Sequence, residues 1–210
     1  MKERLKLYND ATSPFGRKVL VAAIECQIAL SEVFVDLKDP KVLEPWNPTR
    51  QIPTLVLPNG SPVFDSNVIV QYLDTQNDGS PLIPSSQAIP VLVRMSLADG
   101  LMETTLKRLG ETRRNQPQDA ILNKLEATIW RALGAIEAQL DELSIDGKLQ
   151  ADHIATAAAL GYVDLRFTTN WREKHPAVGR WFESISARRS MIMTAPSRSI
   201  PLSISSTEMS

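Results

Sequence analysis

Three prolines at regular spacing limit what the first third of the chain can form. Pro48, Pro53 and Pro58 lie five positions apart, and each removes a backbone donor and clashes with the preceding helical turn. A long helix is therefore excluded, and only short strands fit between the prolines. The β-type runs 54–57 and 62–64 flank an Asn-Gly pair that is typical of a hairpin turn.

Around this hairpin the periodicity predicts a small sheet covered by helices. The predicted elements are a strand at 5–8, a helix beginning at Ser13-Pro14, a strand at 32–35, one helical turn at 41–46, the hairpin, and a helix capped by Asp65-Ser66.

From about Ala88 onward, apolar residues recur at three- and four-residue spacing, which predicts successive helices. The fold class is thus an α/β N-terminal domain followed by an all-α helical bundle. We expect the first domain at 1–78, a linker at 79–87, the helical domain at 88–194 and a loose, Ser-rich tail at 195–210.

Charge and hydropathy exclude several classes of function. The 210 residues include 23 Lys+Arg and 24 Asp+Glu, for a net charge of −1, so no basic surface for nucleic acid or anionic lipid is expected. The apolar stretch Val19 to Ile24 is too short to span a membrane and ends at Glu25. The mixed-charge N-terminus does not resemble a secretion signal. We expect a cytoplasmic protein with no membrane partner.

Cysteine and histidine usage argues against metal chemistry. Cys26 is the single cysteine, and His153 and His175 are the two histidines, which is too few for a zinc or iron-sulfur site. Cys26 falls on the apolar face of the first helix, so we expect a buried, inert side chain. No metal cofactor is predicted.

Three short motifs occur in a fixed order: Thr12-Ser13-Pro14-Phe15, Gln51-Ile52-Pro53-Thr54-Leu55 and Phe64-Asp65-Ser66-Asn67. Together with the linker and the helical second half, they resemble the glutathione S-transferase family, in its bacterial, cytosolic, serine-type form. The resemblance implies a thioredoxin-like N-terminal domain that binds glutathione as co-substrate.

Ser13 is the catalytic residue that this resemblance implies. A helix N-terminus favours an anion, and a serine hydroxyl that donates to the glutathione sulfur increases the fraction of reactive thiolate. Thr12 is the alternative donor, because its hydroxyl lies one residue earlier. Taken alone, Ser13 is an ordinary N-cap.

The resemblance also implies contacts for the rest of the tripeptide. Pro53 corresponds to the cis-proline of thioredoxin folds, which leaves the Ile52 backbone free to pair with the cysteinyl part of glutathione. Asp65 and Ser66 open a helix, where they can hold the γ-glutamyl ammonium and carboxylate. Without the resemblance, Asp65-Ser66 is an ordinary helix cap.

The remaining binding residues are assigned to the edges of the site. Gln51 and Arg50 are expected at the glycyl end, although Arg50 can equally be a solvated surface charge, and Phe15 completes the first motif. Arg17 and Lys18 follow Ser13 by about one helical turn and could reinforce the anion site, but they are interpreted as surface charges, which most such pairs are. Guesses for a hydrophobic electrophile subsite are Met102, Leu106 and Trp171.

The predicted function is transfer of glutathione, through its thiolate, to a small hydrophobic electrophile. Lyase, dehalogenase or isomerase chemistry would use the same thiolate. The alternative from another class is a non-catalytic module of this fold that docks on another protein. The resemblance further implies a homodimer in which the first domain of one subunit lies against the helices of the other.

One segment departs from the family pattern. Near residue 150 the family has Ser or Thr followed three residues later by Asp, whereas this chain reads Gln150-Ala151-Asp152-His153. Both members of that capping box are replaced, so we expect a weaker cap on the helix that follows, although Asp152 could cap it one turn later. We expect His153 to have a structural role.

Overall fold

The computed structural model of the protein describes residues 5–145, 149–167 and 169–196. The strands are β1 (Leu5–Asn9), β2 (Leu30–Phe34), β3 (Thr54–Val56) and β4 (Pro62–Val63). The α-helices are α1 (Pro14–Glu25), α2 (Ser66–Thr75), α3 (Ala88–Thr112), α4 (Asp119–Glu137), α5 (Ala151–Arg166), α6 (Trp171–Lys174), α7 (Pro176–Ser186) and α8 (Arg189–Met193). Short 3₁₀ helices lie at Pro40–Leu43 and Ser85–Gln87.

The four strands form one mixed sheet in the order β2-β1-β3-β4. β1 pairs in parallel with β2 and antiparallel with β3, so Leu7 lies opposite both Glu32 and Leu55. Leu7 and Leu55 are fully buried, because β1 and β3 are the central strands. β3 and β4 form the predicted hairpin. This α/β domain followed by helices confirms the predicted thioredoxin-like fold class.

Several predicted bounds shift by one to three residues. The second strand runs from 30 to 34 rather than from 32 to 35, because its parallel pairing with β1 begins at Leu30. The turn predicted at 41–46 is a 3₁₀ helix at Pro40–Leu43. The domain boundaries at 78 and 87 fall in the connection between α2 and α3 and stay predictions. From residue 197 onward, the predicted tail lies outside the described residues.

Helix α5 is the centre of the helical domain. Residues 151 to 163 are all buried, and many are alanine, which lets α1 and α3 pack closely against it. At Gly161, a Cβ atom would collide with the Arg17 guanidinium from α1. Arg17 donates to the Met191 carbonyl at 3.1 Å, and burial lowers its pKa. Arg17 therefore lies between the two domains, and its interpretation as a surface charge was wrong.

The cap of α5 also differs from expectation. The Gln150 backbone N–H donates to Nδ1 of His153 at 3.0 Å, and the two residues form a capping box. Asp152 is fully buried and accepts from Arg94 Nε at 2.6 Å. The box geometry is therefore kept although its residue types are replaced, because an imidazole nitrogen can take the place of the carboxylate oxygen as acceptor. A weaker cap stays a prediction. The structural role of His153 agrees with this geometry.

We expect this cap to weaken in acid. Burial lowers the pKa of His153 below its ordinary value of 6.5, so the unfolded chain takes up the proton first as pH falls. Stability from this group is present above about pH 6.5 and is lost below it. His153→Gln keeps an acceptor that does not titrate, and its free energy of unfolding should fall less than that of the wild type between about pH 8 and about pH 5.5. Equal losses in the two proteins, measured by urea unfolding, would contradict this assignment.

Candidate functional site

A cleft of about 670 Å³ lies between the two domains. Its N-terminal side is formed by the starts of α1 and α2 and by the loop before β3, and its other side by α3 and α5. All three sequence motifs contribute to this cleft. The residues that line it from those motifs are Thr12, Ser13, Pro14, Phe15, Gln51, Ile52, Pro53, Phe64, Asp65 and Ser66.

Ser13 is the N-cap of α1, as predicted. Its backbone is extended, with φ −70° and ψ 120°, and its Oγ accepts from the Gly16 backbone N–H at 3.1 Å. The hydroxyl proton has no acceptor within the described part of the chain. A capping hydroxyl can accept with a lone pair and still donate its own proton. Ser13 can therefore donate to a group bound in the cleft while it caps the helix.

The Thr12 hydroxyl is placed differently. Its Oγ1 donates to Asp10 Oδ1 at 2.7 Å, and its backbone N–H donates to the same oxygen at 2.8 Å. The hydroxyl proton of Thr12 is therefore already donated to Asp10 within a local turn.

The loop before β3 exposes backbone polar groups to the cleft. The Ile52-Pro53 peptide bond is cis, as predicted. The Gln51 carbonyl accepts from Asn47 Nδ2 at 3.1 Å and from Thr54 Oγ1 at 2.8 Å. These two hydrogen bonds hold the loop in place. Among residues 5–145, 149–167 and 169–196, the Ile52 N–H and C=O have no hydrogen-bond partner. An extended peptide could pair with these groups in the manner of a β-strand.

Arg50 and Gln51 lie at one end of the cleft. The Gln51 side chain is exposed. Arg50 has a φ of 52° and pairs with Glu44 at 2.5 Å, with both side chains about half exposed. An exposed ion pair of this kind contributes little to stability, so Arg50 remains available to a ligand carboxylate.

The start of α2 faces the same cleft. Asp65 is the N-cap, and its Oδ1 accepts from the backbone N–H groups of Asn67 and Val68 at 3.0 and 3.4 Å. Its second oxygen accepts no hydrogen bond from the described residues and can accept one from a ligand. Ser66 is buried beside it at the first helical position, where the backbone N–H points out of the helix. The pair thus offers an acceptor for a cation and donors for an anion.

Behind these residues lies a polar cluster that the sequence analysis missed. Lys18 is 0% exposed, and its Nζ donates to Asn67 Oδ1 and Asp99 Oδ1, both at 2.7 Å. Asn67 Nδ2 donates to Asp99 Oδ2 at 2.6 Å. Burial lowers the pKa of Lys18, and Asp99 opposes that effect. The interpretation of Lys18 as a surface charge was wrong, because Lys18 lies on the buried face of α1 with Val21 and Ala22.

The guesses for the electrophile subsite were largely wrong. Leu106 lines the cleft and is 47% exposed. Met102, at 0% exposure, lies on the face of α3 that is buried with Met95 and Ala98. Trp171, at 1% exposure, donates to Asp164 at 2.7 Å and packs on Phe182. Both side chains belong to the core and do not line the cleft.

The actual helical wall is partly charged. From α3 it includes Asp99, Glu103, Leu106, Lys107 and Leu109, and Arg113 follows directly after that helix. From α5 it includes Tyr162 and Arg166. Tyr162 also lines a small pocket with Thr12 and Ser13. Burial raises the pKa of Tyr162, whereas Arg166 and Arg113 lower it. The helical side of the cleft is therefore not simply hydrophobic, contrary to what the expected hydrophobic subsite would require.

Cys26 lies away from the cleft and is 7% exposed. Burial raises the pKa of its thiol to about 11, which keeps it protonated near neutral pH. Among the described residues, no group of three or more His, Cys, Asp and Glu side chains could hold a metal ion. None of the described helices combines the length and apolar character needed to span a membrane.

Comparison with known proteins identifies the family. The glutathione S-transferase N-terminal domain model matches residues 12–76. A glutathione S-transferase from Methylobacillus flagellatus KT, solved with GSH bound, is 33% identical, with 92% of this chain and 100% of that chain covered and a TM-score of 0.86. The chain therefore belongs to the glutathione S-transferase family.

Two further relatives agree with this assignment. A glutathione transferase family member from Pseudomonas fluorescens Pf-5, solved with S-(propanoic acid)-glutathione, is 34% identical, with coverage of 92% of this chain and 100% of that chain and a TM-score of 0.81. The uncharacterized GST-like protein YibF of Escherichia coli K12 is 29% identical, with 91% of this chain and 98% of that protein covered.

Proposed function

We propose that the protein is a serine-type glutathione transferase, in which bound glutathione attacks a small electrophile as its thiolate. The observation that carries this proposal is the uncommitted hydroxyl proton of Ser13 at the start of α1, inside the cleft. Donation to the sulfur, together with the positive end of the helix, lowers the pKa of the thiol. The bound glutathione and glutathione conjugate in the relatives support a tripeptide in this cleft.

Ser13 is the activating residue in this proposal, in preference to Thr12. The Thr12 proton is donated to Asp10, and redirecting it to a sulfur would break that bond. Ser13 has no such conflict, because it acts on Gly16 only as an acceptor. Thr12 then has the role of holding the turn that precedes α1.

The rest of the tripeptide extends along the N-terminal side of the cleft. The Ile52 backbone pairs with the cysteinyl unit next to Pro53, and Phe15 packs nearby. The free oxygen of Asp65 accepts from the γ-glutamyl ammonium, while Ser66 donates to the adjacent carboxylate. Gln51 and Arg50 contact the glycyl end. The free Ile52 groups and the free Asp65 oxygen support this orientation.

A panel assay tests the proposed function. Purified protein is titrated with glutathione by calorimetry, and thiol addition is then followed with alkyl halide, aryl halide and α,β-unsaturated electrophiles. We expect binding and turnover above the uncatalysed rate with at least one electrophile. Binding of glutathione without turnover would favour the non-catalytic, docking alternative. Turnover in which the electrophile is cleaved, loses its halide or is rearranged, without a glutathione conjugate as the final product, would favour lyase, dehalogenase or isomerase chemistry. Absence of binding would contradict both the transferase proposal and the orientation of glutathione.

Replacing Asp65 with Asn separates the proposed ligand contact from helix capping. Asn is as good an N-cap as Asp, so α2 should remain stable, whereas the charge that holds the ammonium is lost. We expect affinity for glutathione to fall about tenfold. An analogue that lacks the amino group, glutaryl-cysteinylglycine, should bind the wild type and Asp65→Asn equally well. Equal losses for both peptides in calorimetry would show that Asp65 does not contact the ammonium.

Assembly and location complete the proposal. We propose that the protein is cytoplasmic and that it forms a homodimer. The dimer is supported by exposed apolar side chains on both domains, among them Val68 on α2 and Ile89 and Val93 on α3. Light scattering of the purified chain should give the mass of a dimer, and a monomer mass would contradict this assembly.

A further inference from the structure

The helical wall of the cleft ends in two arginines that have no acidic partner among the residues the structure describes. Arg113 follows α3 directly, and Arg166 is the last residue of α5. Both line the cleft, and neither has a carboxylate within ion-pair distance in the part of the chain that is described. By contrast, the neighbouring Arg114 pairs with Glu111 at 3.7 Å.

Arg166 is the more constrained of the two. Its guanidinium carbon lies 5.7 Å from the Tyr162 ring centroid. Its Nε is buried and lacks a hydrogen-bond partner among the described residues, and a buried donor without an acceptor is destabilising. The Arg166 side chain lines the cleft, where an anionic ligand group would give its guanidinium an acceptor.

Tyr162 connects these cations to the proposed sulfur position. It lines the small pocket that also contains Thr12 and Ser13, and both Arg113 and Arg166 are close enough to lower its pKa. Asp10 is the acidic group that also faces Tyr162, but it accepts two hydrogen bonds from Thr12. Glu103 is paired with Lys107 at 3.4 Å. The unpaired charge at this end of the cleft is therefore positive.

We propose that Arg113 and Arg166 form an anion subsite for the electrophile, so that the preferred substrates carry a carboxylate near the reacting carbon. This inference rests on the proposed function and specifies its substrate class. Leu106 and Leu109 contact the apolar part of the electrophile, and the arginines bind its carboxylate. With a haloalkanoate, the C–S bond forms as the carbon-halogen bond breaks, and the halide leaves with the electron pair.

Binding of two matched conjugates tests the subsite without requiring turnover. S-(carboxymethyl)glutathione and S-(carbamoylmethyl)glutathione have nearly the same size and differ in one charge. We expect the wild type to bind the carboxylate about tenfold more tightly. In Arg113→Gln and Arg166→Gln the preference should fall to about twofold or less, whereas Arg114→Gln, which removes an equal charge outside the cleft, should retain it.

Turnover provides the second measurement. The ratio of kcat/KM for iodoacetate to that for iodoacetamide, each corrected for the uncatalysed reaction, should fall about tenfold in Arg113→Gln and remain unchanged in Arg114→Gln. Because Arg113 is exposed, we expect Arg113→Gln to fold like the wild type.

The outcomes separate the two proposals. If glutathione binds but the two conjugates bind with equal affinity, the anion subsite is wrong and the transferase proposal is unaffected. If neither glutathione nor a conjugate binds, the proposed function itself is wrong. If Arg114→Gln loses the preference as strongly as Arg113→Gln, the effect is one of net charge, and the subsite is again contradicted.

Discussion

Ser13→Ala is expected to lower kcat with a generic electrophile by about 10- to 100-fold at neutral pH. Loss of a hydrogen bond to the charged form of a group raises its pKa by about 1 to 2 units, and each unit removes about nine tenths of the thiolate present at neutral pH. The affinity for glutathione should change by less than about threefold, because most contacts with the tripeptide are made elsewhere. Steady-state kinetics and calorimetry measure the two effects separately.

Thr12→Val is the matched control for this substitution. It removes the neighbouring hydroxyl at nearly constant shape and leaves Ser13 in place. Because the Thr12 proton is donated to Asp10, we expect kcat to change by less than about threefold. A large loss in Thr12→Val with little loss in Ser13→Ala would transfer the activating role to Thr12.

The largest effect on stability is expected from Asp99→Ala. Among the described residues, this change leaves the fully buried Lys18 ammonium with Asn67 as its hydrogen-bond acceptor and with the charge of Asp65 nearby, but without a paired carboxylate. Breaking a buried pair from one side costs about 3–5 kcal/mol, since the remaining charge is uncompensated. Urea unfolding at fixed protein concentration should report a loss of that size in the free energy of unfolding.

Two further variants make this prediction specific. Glu103→Ala, one turn along α3, removes an exposed carboxylate that pairs with Lys107, and should change stability by less than about 0.5 kcal/mol. The double variant Lys18→Met with Asp99→Ala removes both charges and should be more stable than Asp99→Ala alone. A double variant no more stable than the single one would contradict the role assigned to this pair.

The starts of the two site helices could be predicted because the signals are local. Ser13 followed by Pro14, and Asp65 followed by Ser66, are cap sequences whose geometry depends on a few neighbouring residues. The hairpin was predictable for the same reason, because an Asn-Gly turn lies between two short apolar runs. The cis bond before Pro53 was different, since only the family resemblance predicted it.

The cluster around Lys18 could not be predicted because it is assembled from three helices. Lys18 is 49 positions from Asn67 and 81 positions from Asp99, and no local pattern records such a contact. A partial signal was present, since Lys18 lies three and four positions before Val21 and Ala22 on the buried face of α1. A lysine on that buried face predicts an acidic partner, but the local sequence does not indicate which residue that partner is.

The electrophile side of the cleft was mispredicted for a related reason. An apolar residue on a helical stripe can face either the core or a cleft, and spacing alone does not distinguish the two. Met102 and Trp171 face the core, whereas Leu106 faces the cleft. Arg113 and Arg166 carried no sequence signal, because single arginines at helix ends are common and their proximity depends on how α3 packs on α5.

The central claim is that the cleft binds glutathione with its sulfur ionised. The most direct test is a pH titration of glutathione bound to the wild-type protein, followed through the ultraviolet absorbance of the thiolate. We expect the bound thiol to have a pKa clearly below about 8.5, the ordinary value for cysteine, and this pKa to rise in Ser13→Ala. A bound thiol that titrates at the same pH as free glutathione would contradict the central claim.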